Sequence, residues 1–345
     1  MKKTLITILV FLLFLVFLMI LLSGCQTANT VYFDESESIK QADSFWYTTA
    51  IVSNSGNCYV KGDLTDSINY GVKDVPPSLL MKNGFIRLYD KGDAANINIT
   101  SVGGCITTES NDVYIFLNKS VENAVPTYLC SGYTQAYLWD DTHIYLLSDK
   151  GEFGYTSLNN PNSFTKIAHN IKKFRISSKE STDPTIFVLS ENDKLYILDY
   201  NEEFNESEHY IDNVIEFDLL VPHTKLSILS ILTKEHDAFC RFGDYPLNYE
   251  GINERNFEKI GENISSVTSY GKGVAMIDKQ GRASLYGYGF KSNSESGQFF
   301  HSEVVFENVK AVFGGDYYLI VIMSDDTYLY FGRDSYTTEY TRITH

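Results

Sequence analysis

Beyond residue 30 the chain alternates apolar and polar positions in short runs and nowhere sustains a helical period. Runs rich in Val, Ile, Tyr and Phe are cut every eight to twelve residues by Gly, Asn, Asp and Ser, the pattern of antiparallel strands joined by tight turns. A longer interval lies above this one. "KIGENISSVTSYGKGVAMIDKQGRASLYGYG" and "VVFENVKAVFGGDYYLIVIMSDDTYLYFG" superpose, with Ile260, Asn263 and Ile264 over Val305, Asn308 and Val309, 45 residues on. Ile167, Asn170 and Ile171 fall in the same register, as do Tyr210, Asn213 and Val214, with weaker copies near Val75 and Ala124 and at Ile39. Starting points at 39, 75, 124, 171, 214, 264 and 309 make seven units with a mean spacing of 45 residues. Each unit closes on a polar turn and an aromatic strand, as in "SENDKLYIL" and "DKQGRASLYG".

A unit of this length has room for four strands, and four-stranded sheets repeated radially make a β-propeller. Residues 39–345 are therefore expected to form an all-β, seven-bladed propeller of four-stranded antiparallel blades. The 49 aromatic residues suit the wedge-shaped gaps between blades. Unit one lacks a clear copy of the strand that precedes later units (Phe164 to Ile167, Phe257 to Ile260), whereas "YTRI", Tyr340 to Ile343, is such a strand with no unit after it. The expected closure pairs residues 340–343 into the first blade, within the sheet of residues 39–62, which would cover an exposed edge.

The sixth unit carries a more specific likeness. Ile264 and Val267, the pair Ala275 and Met276, Asp278 with Gly281, then Leu285, Tyr286, Tyr288 and Gly289, and finally Asn293, Gly297 and Gln298 follow the order of one repeat of the regulator of chromosome condensation family. The seventh agrees through Val309, Val312, Gly315, Asp325, Tyr330 and Gly332, with Tyr318 where that family has histidine. The resemblance covers about residues 257–334, and tyrosine replaces the family's tryptophan. It implies a propeller. Secreted bacterial members of the family bind proteins through loops on one face, and the resemblance extends that expectation to this chain.

The first residues change the setting. "MKK" precedes an apolar run from Leu5 to Leu22 broken only by Thr7, and Leu22, Ser23, Gly24 and Cys25 resemble a bacterial lipobox. That likeness implies a signal peptide over 1–24, a mature protein that begins with diacylated Cys25, a short linker over 25–38, and the propeller from 39. An uncleaved anchor is the other reading of the same run. Both place the body outside the cytoplasm. Two acyl chains, such as palmitate, hold a protein durably on a membrane. Abundant Asn, Lys and Tyr with few prolines point to a Gram-positive cell membrane.

Without Lys2 and Lys3, 26 basic residues face 44 acidic ones, a formal charge of −18 that disfavours a nucleic-acid partner. Cys58, Cys105, Cys130 and Cys240 have no metal-site spacing; a disulfide is allowed outside the cytoplasm, with Cys105 and Cys130 the nearest pair, and buried free thiols are the favoured reading. No HxH, HExxH or GxSxG pattern occurs, so no catalytic residue, metal or cofactor is assigned. Asp140, Asp141 and His143 could hold a metal but read better as a solvated turn, as do Asp325 and Asp326.

The connection after each V-x-x-V strand projects from one face of a disc when the repeats are in register. It is expected to carry Trp46, Tyr47, Tyr133, Tyr270 and Tyr317, aromatic residues suited to protein or sugar recognition, or else rings that pack between blades. The functional expectation is a monomeric, lipid-anchored extracytoplasmic scaffold for a protein or polysaccharide. The alternative is a lyase or glycoside hydrolase with acid groups around the axis.

Overall fold

The computed structural model describes residues 33, 37–45, 48–61, 85–117, 125–177, 185–199, 210–220, 226–244, 257–271, 273–288, 299–315, 318–333 and 340–343. They form 28 strands in seven four-stranded antiparallel sheets, each made from one continuous stretch of chain, and among the described residues there is no helix. The inner strand of each blade is its first: Ile39–Phe45, Ala94–Thr100, Tyr133–Leu138, Ile171–Ser177, Val214–Leu220, Ile264–Tyr270 and Val309–Gly314. Consecutive blades touch and the seventh touches the first, so the sheets close into a ring. The all-β, seven-bladed propeller read from the sequence is the fold.

Five of the seven expected starting points, 39, 171, 214, 264 and 309, are first residues of inner strands. The other two are corrected, from 75 to Ala94 and from 124 to Tyr133. The first blade holds 24 residues between its third strand, Cys58–Lys61, and its fourth, Ile86–Tyr89, which displaces the next two units from an even spacing.

The closure is corrected as well. Tyr340–Ile343 pairs with Tyr328–Arg333 and completes the seventh blade, while the first blade takes its outer strand from Ile86–Tyr89. No exchange of strands is needed, because side chains join the ends. Phe33, Tyr59 and Phe85 from the first blade's side pack with Tyr318, Tyr328 and Tyr330 of the seventh, and Phe33 N–H donates to the Phe85 carbonyl at 2.8 Å. The core thus reaches back to Phe33.

Each blade is buried on both faces. Thr48–Ser53 is buried at every position, and its alternate residues point opposite ways: Ile51 into the junction with blade seven, Ala50 and Val52 into the junction with blade two. Seven hydrophobic clusters result, one per junction, and full burial of each large apolar side chain contributes about 1.5–3 kcal/mol. Blade seven lies especially close to its neighbours. A Cβ on Gly314 would fall 2.2 Å from the Ser269 carbonyl oxygen of blade six, and one on Gly315 would fall 1.9 Å from Ser44 Oγ of blade one.

One backbone device repeats around the ring. The turn between second and third strands holds a left-handed residue in every blade: Gly56, Asn111, Gly151, Asp193, His236, Gly281 and Asp326. From blade one to blade six its carbonyl accepts the N–H that opens the next blade, as from Ile171 to Gly151 at 3.0 Å and Val309 to Gly281 at 2.7 Å. The asparagines that mark the repeat, Asn170, Asn213, Asn263 and Asn308, are also left-handed, a conformation their short polar side chains tolerate, and each carbonyl accepts from the adjacent turn. The blade openings and the second turns therefore share one face of the disc. The connections between first and second strands, and between third and fourth, lie on the other.

Candidate functional site: the axial cavity

Every inner strand carries a β-bulge after its first residue or opposite it, as between Ile39 and Gln41 and between Val309 and Ala311. The third residue after the bulged opening, such as Phe174 or Phe217, is buried between blades, and the positions on either side of it turn to the axis. Two rings of side chains line a cavity of about 350 Å³. The first has amides Gln41, Asn96 and Gln135 on blades one to three, charges Lys173 and Glu216 on blades four and five, then Ser266 and Ala311. The second has Asp43, Asn98, Tyr137, Arg175, Asp218, Thr268 and Phe313.

An inner strand is a sheet edge with unpaired backbone groups, and these side chains cover it. Gln41 exchanges hydrogen bonds with the Ile97 backbone, accepting at 3.1 Å and donating at 3.2 Å, and Ile99 N–H donates to Asp43 Oδ2 at 2.8 Å. Phe174 N–H donates to Gln135 Oε1 at 3.2 Å, and Lys173 Nζ donates to the Phe217 carbonyl at 2.8 Å. Ser269 N–H donates to Asp218 Oδ2 at 2.9 Å, and Thr268 Oγ1 to the Val312 carbonyl at 3.1 Å. In each case a blade reaches to the next one in sequence.

Charge is concentrated on three blades. Arg175 Nε lies 3.2 Å from Asp218 Oδ1, with 34% of the arginine side chain and 16% of the aspartate exposed, so the guanidinium faces the cavity. Burial opposes the charge on Arg175, but Asp218 and Asp43 outweigh it and hold the group above its ordinary range. Asp43 is pushed up to about 6 by burial, against the pull of Arg175 and of the Ile99 and Ser44 N–H groups. Burial lowers Lys173, with Arg175 adding to it, and burial raises Glu216. Among the described residues no histidine lines the cavity.

The residues expected to bind fall elsewhere. Trp46, Tyr47 and Tyr317 lie outside the described residues, as does Cys25. Tyr270 is corrected: its ring has no exposed surface and packs in the junction of blades six and seven, so it presents nothing to a partner. Tyr133 is corrected in place, because it opens the inner strand of blade three rather than following it, half-buried with its ring 5.6 Å from Phe164. Trp139, which the sequence reading missed, does follow an inner strand. Its loop is held by Asp140 Oδ1, which accepts from Thr142 N–H at 2.7 Å, Thr142 Oγ1 at 2.7 Å and His143 N–H at 2.6 Å. These bonds outweigh the effect of burial and lower the Asp140 carboxyl, as befits a structural turn. Among the described residues no cluster of His, Cys, Asp and Glu is arranged to hold a metal. Cys58, Cys105, Cys130 and Cys240 are free thiols, and burial pushes Cys130 up to about 11 and Cys240 to about 12.

No protein-family model matches the chain, and no curated protein matches it in sequence. Solved structures match it in fold. A chain of the mitotic checkpoint complex is 12% identical with a TM-score of 0.55, covering 89% of this chain and 90% of that one. Prp20p from Saccharomyces cerevisiae, described with its binding to Gsp1p and histones, is 14% identical with a TM-score of 0.52 over 81% and 82%. BBS1N, solved in complex with ARL6DN, is 11% identical with a TM-score of 0.52 over 90% and 99%.

Proposed function

We propose that the chain is a lipid-anchored extracytoplasmic scaffold that binds a protein through the face bearing the connections between first and second strands. The observation that carries this reading is an asymmetry of connection lengths. On the face of the second turns no connection between strands exceeds four residues; on the other, third-to-fourth connections run from six to 24 residues in six of the seven blades. Insertions gathered on one face of a repeat array commonly mark its binding side. Trp139 belongs to a connection on that face, and Trp46 and Tyr317, outside the described residues, fall in sequence between the first and second strands of their blades. Several axial polar groups meanwhile join neighbouring blades, which suits a rigid frame. Prp20p and BBS1N are described with protein partners, which favours a protein over a polysaccharide.

The anchor rests on Leu22 to Cys25. Palmitate labelling of the full chain in cells is expected to mark the wild type, and Cys25→Ala to lose both the label and the membrane fraction; a labelled alanine variant contradicts the anchor. For the face, replacing Trp46, Tyr47, Trp139 and Tyr317 by alanine together is expected to weaken partner capture by about tenfold or more with unchanged circular dichroism. Undiminished capture contradicts the assignment. A second reading, an axial lyase or glycoside hydrolase, draws on Asp43 and Glu216, whose carboxyls burial raises. It requires turnover of a glycan substrate that Asp43→Asn abolishes.

A further inference from the structure

The inter-blade bonds leave much of the axial hydrogen-bonding capacity unused. Arg175 commits Nε to Asp218, with its two terminal nitrogens still to place; Lys173 commits one ammonium proton to Phe217; Asp43 accepts from two backbone N–H groups where a carboxylate has about four acceptor sites. Asn98, on blade two next to the blade of Asp43, also lines the cavity, and its Oδ1 is buried with no hydrogen-bond partner among the described residues. An acceptor left in that state costs about 1–3 kcal/mol, which a ligand's donor would recover. The cavity, about 350 Å³, lies at the lower end of the range of about 300–1,000 Å³ typical of small-molecule sites.

The charges restrict what can enter. Lys173 and Arg175 stand on blade four, Glu216 and Asp218 beside them on blade five, and Asp43 across the ring on blade one; Lys310 also borders the cavity but is bonded to Asp326. A lone anion meets three carboxylates, and a lone cation meets Lys173 and Arg175. A ligand carrying both charges adds none to the axis and can set each against its opposite.

We propose that the axial cavity binds a free α-amino acid, with its ammonium towards Asp43 and Asn98 and its carboxylate towards Lys173 and Arg175. The ammonium supplies the donor that Asn98 Oδ1 lacks and stabilises the ionised form of Asp43, which burial now disfavours. The carboxylate restores Lys173, whose charge burial and Arg175 both disfavour. Tyr137 and Phe313 also line the cavity. This inference does not rest on the protein-binding reading.

The test is calorimetric titration of the full chain in detergent, at pH 7.5, with each of the twenty proteinogenic L-amino acids. Any that binds is then compared with its N-acetyl derivative and its α-carboxamide, each lacking one charge. At least one amino acid is expected to bind one per chain, both derivatives at least about tenfold more weakly, and Asp43→Asn and Arg175→Gln are expected to weaken the parent to a similar degree. The derivative comparison uses the wild-type chain, so it decides the matter even where a variant fails to fold. Absence of binding by every amino acid, or derivatives that bind as tightly as the parent, overturns the proposal.

Discussion

Asp43 shows how one buried carboxyl couples the axis to pH. Its ordinary value of 3.8 rises to about 6 in the folded protein, chiefly through burial, so the native state holds this proton more tightly than the unfolded chain does. Its contribution to stability is therefore full below pH of about 4, declines as the pH rises to about 6, and is flat above. In thermal melts from pH 3.5 to 8, Asp43→Asn should gain on the wild type across that window and keep a constant offset beyond it; a parallel pair of curves contradicts the assignment. Left-handed residues provide a second measure. Asn308→Ala keeps a β-carbon at φ 60° but loses the short polar side chain that eases a left-handed backbone, and is expected to cost about 1–2 kcal/mol in urea unfolding, with Asn308→Gly close to wild type. Tyr270→Ala should cost about 3–5 kcal/mol, as for a buried aromatic, rather than leave a folded protein that cannot bind. The sequence made Asn308 legible because its place in the repeat recurs. The axial residues were not legible, since the same two positions hold amide, cation, carboxylate, hydroxyl or aromatic from blade to blade. Only the strand register reveals that they share an axis.

The strands themselves were readable wherever an apolar residue follows a left-handed asparagine, as at Ile171, Val214, Ile264 and Val309. Blade two opens at Ala94 after Asp93, and blade three at Tyr133 after Gly132, so neither carries that mark. The closing element was misplaced for a related reason. The first blade's outer strand, "IRLY", follows a long connection and shows no likeness to the later outer strands, so the terminal "YTRI" looked unclaimed. Because Tyr340–Ile343 lies on the outside of blade seven, truncation after Arg333 should expose one sheet edge and leave the ring closed. Amide exchange is expected to quicken in Tyr328–Arg333 while the inner strands of blades two to five keep their protection. Collapse of protection throughout contradicts this closure. Phe33→Ala acts at the true seam and should lower the melting temperature more than the truncation, since its ring packs on Tyr59, Phe85 and Tyr328.

As a whole the molecule is a ring of seven like sheets with a polar axis, one face of short turns and one of long connections. The formal charge of −16 for the full chain opposes attraction to a nucleic-acid backbone. The fold could be read from periodicity alone, because a blade buried on both faces leaves a regular apolar signal. The proposed binding side could not, since it depends on where connections of unequal length emerge once the strands are placed. The most direct test of the account puts a photo-reactive amino acid, in intact cells, at Trp46, Trp139 or Tyr317, between first and second strands in sequence, and at Glu191, Lys279 or Asp325, in the second turns. The account predicts the same cross-linked protein from all three positions of the first set and none from the second; adducts from the second set alone would contradict it.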